Sequence, residues 1–172
     1  QEALALAGRT GHLVHQTWSL TQLCILYRRR RDAEATREYA LRCLRVATSA
    51  QQLENAAVAR GNLAWLAWRK GDLGEAEKQA RTALELWDQS AFVYAFHWTA
   101  LFPLLVMAVE KDALDGALDH TQALLHPQQQ RLPEPLEAAL EAALQAAEDD
   151  GAEAAAQCLE HAIEVAKETG YL

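Results

Sequence analysis

The fold class that this sequence predicts is all-α, a solenoid of antiparallel helix hairpins, and three observations predict it. The chain repeats itself every 40 residues. Leu4, Leu44, Leu84 and Leu124 keep that spacing, as do Ala3, Cys43, Ala83 and Ala123, and again Asp32, Asp72 and Asp112. A period between 20 and 50 residues is the mark of stacked-repeat architectures. The composition points the same way: hydrophobic residues make up 51% of the chain and lean on Ala and Leu, with only 8 Gly and 4 Pro in 172 residues. Ala and Leu are strong helix formers. Finally, apolar residues recur at three- and four-residue intervals, the spacing of one helix face.

The second repeat, residues 51–88, is the clearest. A helix over 56–70 has one face made of Ala57, Arg60, Leu63, Ala64 and Ala67. Gly71 suits the left-handed residue that ends a helix, and Asp72 can cap the next one by accepting from its free N–H groups. The partner helix, Leu73 to Trp87, carries Leu73, Ala76, Ala80, Ala83, Leu84 and Trp87 at helical spacing. Its alanines let two helices approach closely.

The first repeat, 11–48, has the same design 40 residues earlier. Leu20, Leu23, Cys24 and Tyr27 form the inward stripe of a helix over 11–30, and Asp32 caps the next. Thr36, Ala40, Cys43, Leu44 and Val46 stand where Ala76, Ala80, Ala83, Leu84 and Leu86 stand later. Arg31 replaces glycine, which predicts a less tight turn. Residues 1–8 read as the end of a preceding repeat. The third repeat, 91–126, opens with a helix over 91–110 that is apolar on nearly every side, from Phe92, Val93 and Tyr94 to Val106; such a helix is buried on several faces. Pro103 inside it removes a backbone hydrogen bond and predicts a kink. Gly116 stands where Ala76 stood, so the register there can slip by one. The proline-rich segment from His126 to Pro135 reads as a loop. The fourth repeat, 134–169, restores the hairpin, with a turn near Asp149–Gly151 and a stop at Gly170.

Charge is unevenly placed. Residues 1–90 hold 13 Lys/Arg against 10 Asp/Glu, and residues 91–172 hold 3 against 14, within a net charge of −8. This balance argues against nucleic acid as a direct ligand, because phosphate contacts need clustered cations. Arg28–Arg31 is the local exception: it could meet an acidic partner, but the favoured reading is a solvated helix end that suits the C-terminal dipole. Cys24, Cys43 and Cys158 form no metal-binding or disulfide pattern and fit buried thiols in a reducing, cytoplasmic setting. No apolar stretch is long enough to span a membrane. His12 and His15 lack further ligands at metal spacing. No phosphate loop, nucleophile elbow or paired acid and base appears. The expectation is therefore a non-enzyme without cofactor or metal. The start at Gln1 and the truncated first unit read as a fragment of a larger protein.

Leu63–Ala64, Gly71–Asp72 and Ala76, Ala80 and Ala83 resemble the tetratricopeptide repeat pattern, and Leu23, Cys24, Tyr27, Ala40 and Cys43 are similar to it. The usual repeat is 34 residues, and this one is longer. Long repeats of this kind resemble those of large bacterial regulators, in which the array follows an ATPase or nucleotide cyclase module, and those of maltose-type transcription activators. The resemblance implies a right-handed superhelix whose first helices line a concave groove that docks a protein or peptide segment, including one from other domains of the same full-length chain. It places Trp18, Thr21, Ile25, Arg28 and Arg29 there from the first repeat. Val58, Gly61, Asn62, Trp65, Trp68 and Arg69 follow from the second, and Trp98, Leu101 and Leu105 from the third. Trp and Arg dominate binding hot spots. The same rings could instead pack between repeats; Trp65 and Trp68 are read as groove residues and Trp98 as core. Some members clamp a carboxylate terminus with paired Lys and Asn. Asn62 stands at one such place, but Thr21, Ile25, Trp98 and Phe102 occupy the others, so that clamp is not expected. Two alternatives stand beside docking: small-ligand sensing in a transcriptional regulator, at an apolar pocket around Trp98, Phe102 and Leu105, and homo-oligomer formation through uncapped ends.

Overall fold

The computed structural model describes residues 2–10, 12–90, 95–149 and 151–172. Among them it holds nine α-helices, packed as sequential antiparallel pairs: α1 (Glu2–Thr10), α2 (Leu13–Arg29), α3 (Ala33–Ser49), α4 (Leu53–Arg69), α5 (Leu73–Asp88), α6 (Trp98–Glu110), α7 (Leu114–Leu124), α8 (Glu134–Asp149) and α9 (Ala152–Glu168). The all-α class and the hairpin order are those the period predicts. Phe92, Val93 and Tyr94, and Asp150 of the fourth turn, lie outside the described residues. The described part of the third repeat's first helix begins at Trp98, after a turn at 95–97.

The two regular hairpins superpose in sequence as expected. Asp32 accepts from the Ala35 amide at 3.0 Å, and Asp72 from the Glu75 amide at 3.1 Å. Thr36, Ala40 and Cys43 are fully buried, and so are Ala76, Ala80 and Ala83. The predicted looseness at Arg31 is not found. Arg31 takes φ 59° where Gly71 takes 78°. Asp32 N–H reaches the Tyr27 carbonyl at 3.0 Å, as Asp72 N–H reaches that of Ala67. The turn is set by these bonds to the helix end, and they tolerate a non-glycine residue at the cost of left-handed strain.

The same strain recurs at Gln51, with φ 53°. Its side chain is exposed. Gln51→Gly should therefore stabilise the chain by roughly 1 kcal/mol, the left-handed penalty less the extra chain entropy of glycine. Urea denaturation followed by circular dichroism measures this, and a loss of stability would refute the account of the turn.

The third repeat has slipped by one. Asp112, which keeps the period of the capping residues Asp32 and Asp72, takes φ 54° and so occupies the place of Gly71, while Ala113 becomes the N-cap of α7. Ala117, Thr121 and Leu124 are buried in consequence, and Gly116 leaves the seam. The leucine column therefore does not mark one equivalent layer. Leu44 and Leu84 are half-buried beside the deeper Cys43 and Ala83, whereas Leu124 lies in the deep position itself.

Stacking departs from regularity at the fourth hairpin. α4 packs on α2 and α3, and α6 on α4 and α5. Next in order α8 would approach α6, but α9 does so instead. The long connection from Leu125 to Pro133 permits this turn of the hairpin. It is tied down by Gln130 N–H donating to the Ala95 carbonyl at 3.1 Å and His97 N–H donating to Gln129 Oε1 at 3.1 Å. Leu132, Leu136 and Leu140 join Trp98, Phe102, Leu159 and Ile163 in one core. The end of α9 is thereby carried back to the C-terminal end of α2.

Candidate functional site

The site grows from the C-terminal ends of α2 and α4 and from the proline of α6. Pro103 has no N–H, so the Thr99 carbonyl, four residues earlier, lacks its helical partner. Arg28 supplies one: its Nη1 donates to the Thr99 carbonyl at 2.7 Å. Its Nη2 donates to the Tyr171 carbonyl at 2.8 Å. The guanidinium lies 5.4 Å from the Trp65 ring centroid and 4.9 Å from that of Trp98. Such cation–π contacts are strongest when desolvated.

Arg28 is 0% exposed, and among the described residues no carboxylate pairs with it. Burial pulls its pKa down to about 9, opposed by Cys24, so the group is charged at neutral pH. Its Nε and the indole nitrogens of Trp65 and Trp98 are buried donors without a hydrogen-bond acceptor among the described residues.

The segment 170–172 closes over this cluster. Gly170 ends α9 with φ 79°, and Tyr171 N–H donates to the Ala166 carbonyl at 2.9 Å. A side chain at Gly170 would also meet the Arg29 carbonyl oxygen at 2.7 Å. The Tyr171 ring sits 4.7 Å from Trp98 and 5.8 Å from Phe102, and the Arg29 guanidinium lies 5.0 Å over it. Burial raises the Tyr171 pKa, with Arg29 opposing the shift.

Beside Tyr171 a cleft of about 530 Å³ remains open, lined by Arg31, Trp68, Arg69, Gly71, Glu110, Lys167 and Leu172. Arg31 donates to the Lys167 carbonyl, and Arg69 to the Arg31 carbonyl at 3.3 Å. Arg69 also lies 4.9 Å over the Trp65 ring. Arg31 and Arg69 thus line the cleft with Trp68 and Glu110, while the Lys167 ammonium is paired with Glu164 at 2.7 Å.

The residues expected in one groove fall into two sets. Trp68, Arg69 and Arg29 are accessible at this end of the layer. Trp18 is 52% exposed but lies eleven residues back along α2, about 16 Å away, beside exposed Leu13 and Val14. The others are core, which corrects their groove placement. Trp65 is 0% exposed, with Arg28 over its ring, and Trp98 2%, with Arg28 and Tyr171 against it. Val58, Leu101 and Leu105 are buried with them, and Ile25 is half-buried. Thr21 bridges to Asn55 Oδ1 at 2.8 Å, and buried Asn62 donates to the Val58 carbonyl at 2.8 Å. Gly61 meets α6 at Thr99. Sequence reasoning did not single out Lys167 or Tyr171 for this place. The signal available was Pro103, whose orphaned carbonyl calls for a donor.

Among the described residues no helix is long and apolar enough to cross a membrane, and no group of His, Cys, Asp and Glu is placed to hold a metal ion. No curated protein and no solved structure matches the chain. Residues 14–89, the stretch that contains α3, α4, α5 and nearly all of α2, do match the tetratricopeptide repeat family, whose repeats typically bind proteins or peptides.

Proposed function

We propose that the chain is a docking module of a larger bacterial regulatory protein, and that its cleft at the ends of α2 and α4 takes an acidic segment of a protein partner. The observation that carries this reading is the grouping of half-buried Trp68 with Arg31 and Arg69 around one open cleft. The aromatic floor offers an anchor site, and the cations select negative charge. A cleft of this size suits a few side chains rather than a whole domain face. The alternative of a small-ligand pocket at Trp98, Phe102 and Leu105 has less support, since Tyr171 fills the space beside those rings.

The test is an array of acidic, neutral and basic peptides probed with the full chain. Acidic peptides carrying an aromatic residue should bind, less so as salt is added. Trp68→Ala should weaken them about thirtyfold, the effect of losing a hot-spot ring of about 2 kcal/mol. Binding unchanged by Trp68→Ala, with the helical circular dichroism intact, would remove the cleft from consideration.

A further inference from the structure

We propose that Gly170–Leu172 is a displaceable plug over a carboxylate-binding site formed by Arg28 between Trp65 and Trp98, and that a partner segment with an acidic side chain next to an aromatic one takes its place. This rests on the reading of the adjoining cleft as a docking site and names what enters deepest.

The two halves of the Arg28 fork are held differently. Nη1 is fixed by the carbonyl that Pro103 leaves free inside α6. Nη2 is satisfied by the Tyr171 carbonyl, just after α9. That second acceptor is a neutral carbonyl. A carboxylate there would make a charge-assisted bond, roughly twice as strong, to a cation that has been removed from water and has no counter-ion.

The neighbours of Arg28 are short of acceptors in the same sense. Its Nε and the Trp65 and Trp98 indoles are buried N–H groups with nothing to donate to among the described residues. Leaving buried donors unpaired is costly, so a cluster with three donors to spare beyond its two carbonyl acceptors suits an anion. Tyr171 shows what accompanies the acid. Its ring fills the space bounded by Trp98, Phe102 and the Arg29 guanidinium, so an aromatic side chain is the second element of the motif. Arg29, Arg31 and Arg69 surround the entrance and favour the approach of a negative segment.

The plug lowers apparent affinity by the fraction of time it occupies the site, so weakening it should tighten binding. The probe is a fluorescein-labelled, amidated pentapeptide Gly-Gly-Tyr-Glu-Leu, followed by anisotropy with the full chain. Tyr171→Ala should raise its affinity roughly tenfold. In that background Arg28→Gln should abolish the gain, and replacing the peptide's Glu by Gln should weaken binding about tenfold on either protein. With the unaltered chain, saturating peptide should speed hydrogen exchange at the Tyr171 and Leu172 amides, both of which donate to the Ala166 carbonyl.

A folded Tyr171→Ala variant that binds no tighter, or amides that exchange at the same rate, overturns the plug. Equal binding of the Glu and Gln peptides overturns the carboxylate site, and it does so even where Arg28→Gln fails to fold. If the peptide binds and responds only to Trp68→Ala, the plug and its anion site fall while the outer cleft stands. If Tyr171 and Arg28 variants respond but Trp68→Ala does not, the outer cleft falls.

Discussion

Gly61→Val should destabilise the chain by roughly 3 kcal/mol, at the upper end of overpacking costs, and lower its melting temperature by about 6–12 °C. Ordinarily a glycine inside a helix is a weakness, and replacing it by alanine gains about 0.5–1 kcal/mol. At Gly61 the sign reverses because α4 and α6 touch there. A β-carbon would lie 2.4 Å from Thr99 Oγ1 and 3.0 Å from the Thr99 carbonyl carbon. The first contact belongs to a rotatable hydroxyl, but the second belongs to backbone and cannot move without shifting α6. Valine adds two further methyl groups to the same gap. Gly116 supplies the control, since nothing lies within 4 Å of a β-carbon built there. Gly116→Ala should leave stability unchanged or raise it by up to about 1 kcal/mol. Thermal unfolding followed by circular dichroism reads both variants, and a stabilised Gly61→Val would show that the helices do not meet at this point.

Arg28→Ala should cost more, about 3–5 kcal/mol. The truncation strands the carbonyls of Thr99 and Tyr171, which now accept at 2.7 and 2.8 Å, and opens a cavity between two tryptophan rings. Arg28→Met should cost clearly less. It refills most of the volume and removes a buried charge whose desolvation the arginine must otherwise overcome. Urea unfolding monitored by tryptophan fluorescence separates the two, because Trp65 and Trp98 report from the site itself. Equal losses for alanine and methionine would mean that the charge, and not the packing, accounts for the effect.

Residues 1–90 show how far local chemistry carries a reading. Alanines at 76, 80 and 83, aspartates at 32 and 72, and a glycine at 71 each specify something within a few residues: a close seam, a cap, a left-handed turn. Those short-range demands are why the helices and the seam of the two regular hairpins stand where the period put them. Arg31 shows the limit, since the helix-end hydrogen bonds impose the turn even without glycine. Asp112 shows another limit. An aspartate serves as a cap in one register and as a left-handed residue one position earlier, and only the burial of Ala117, Thr121 and Leu124 selects between them.

The candidate site was legible only in part. Trp68, Arg69 and Arg29 are accessible, yet Trp65, one turn before Trp68 and Arg69 on α4, is wholly covered. Helical spacing sets the direction of a side chain but not what lies opposite it. Arg28 makes the point most clearly. In the sequence it opens a run of four arginines at a helix end, where solvent and the helix dipole account for all four. In the structure it alone is turned inward.

The sequence by itself determined the helices, their pairing into hairpins and the seams of the first two repeats, because each follows from periodicity, capping and side-chain size over short distances. Tertiary structure alone decided that α9 and not α8 approaches α6, that Tyr171 returns to the end of α2, and that Arg28 is buried between two tryptophans. Those outcomes depend on a carbonyl freed by Pro103 and a donor 71 positions away along the chain finding each other. No local propensity encodes that encounter; it follows from how α2 and α6 stack on α4.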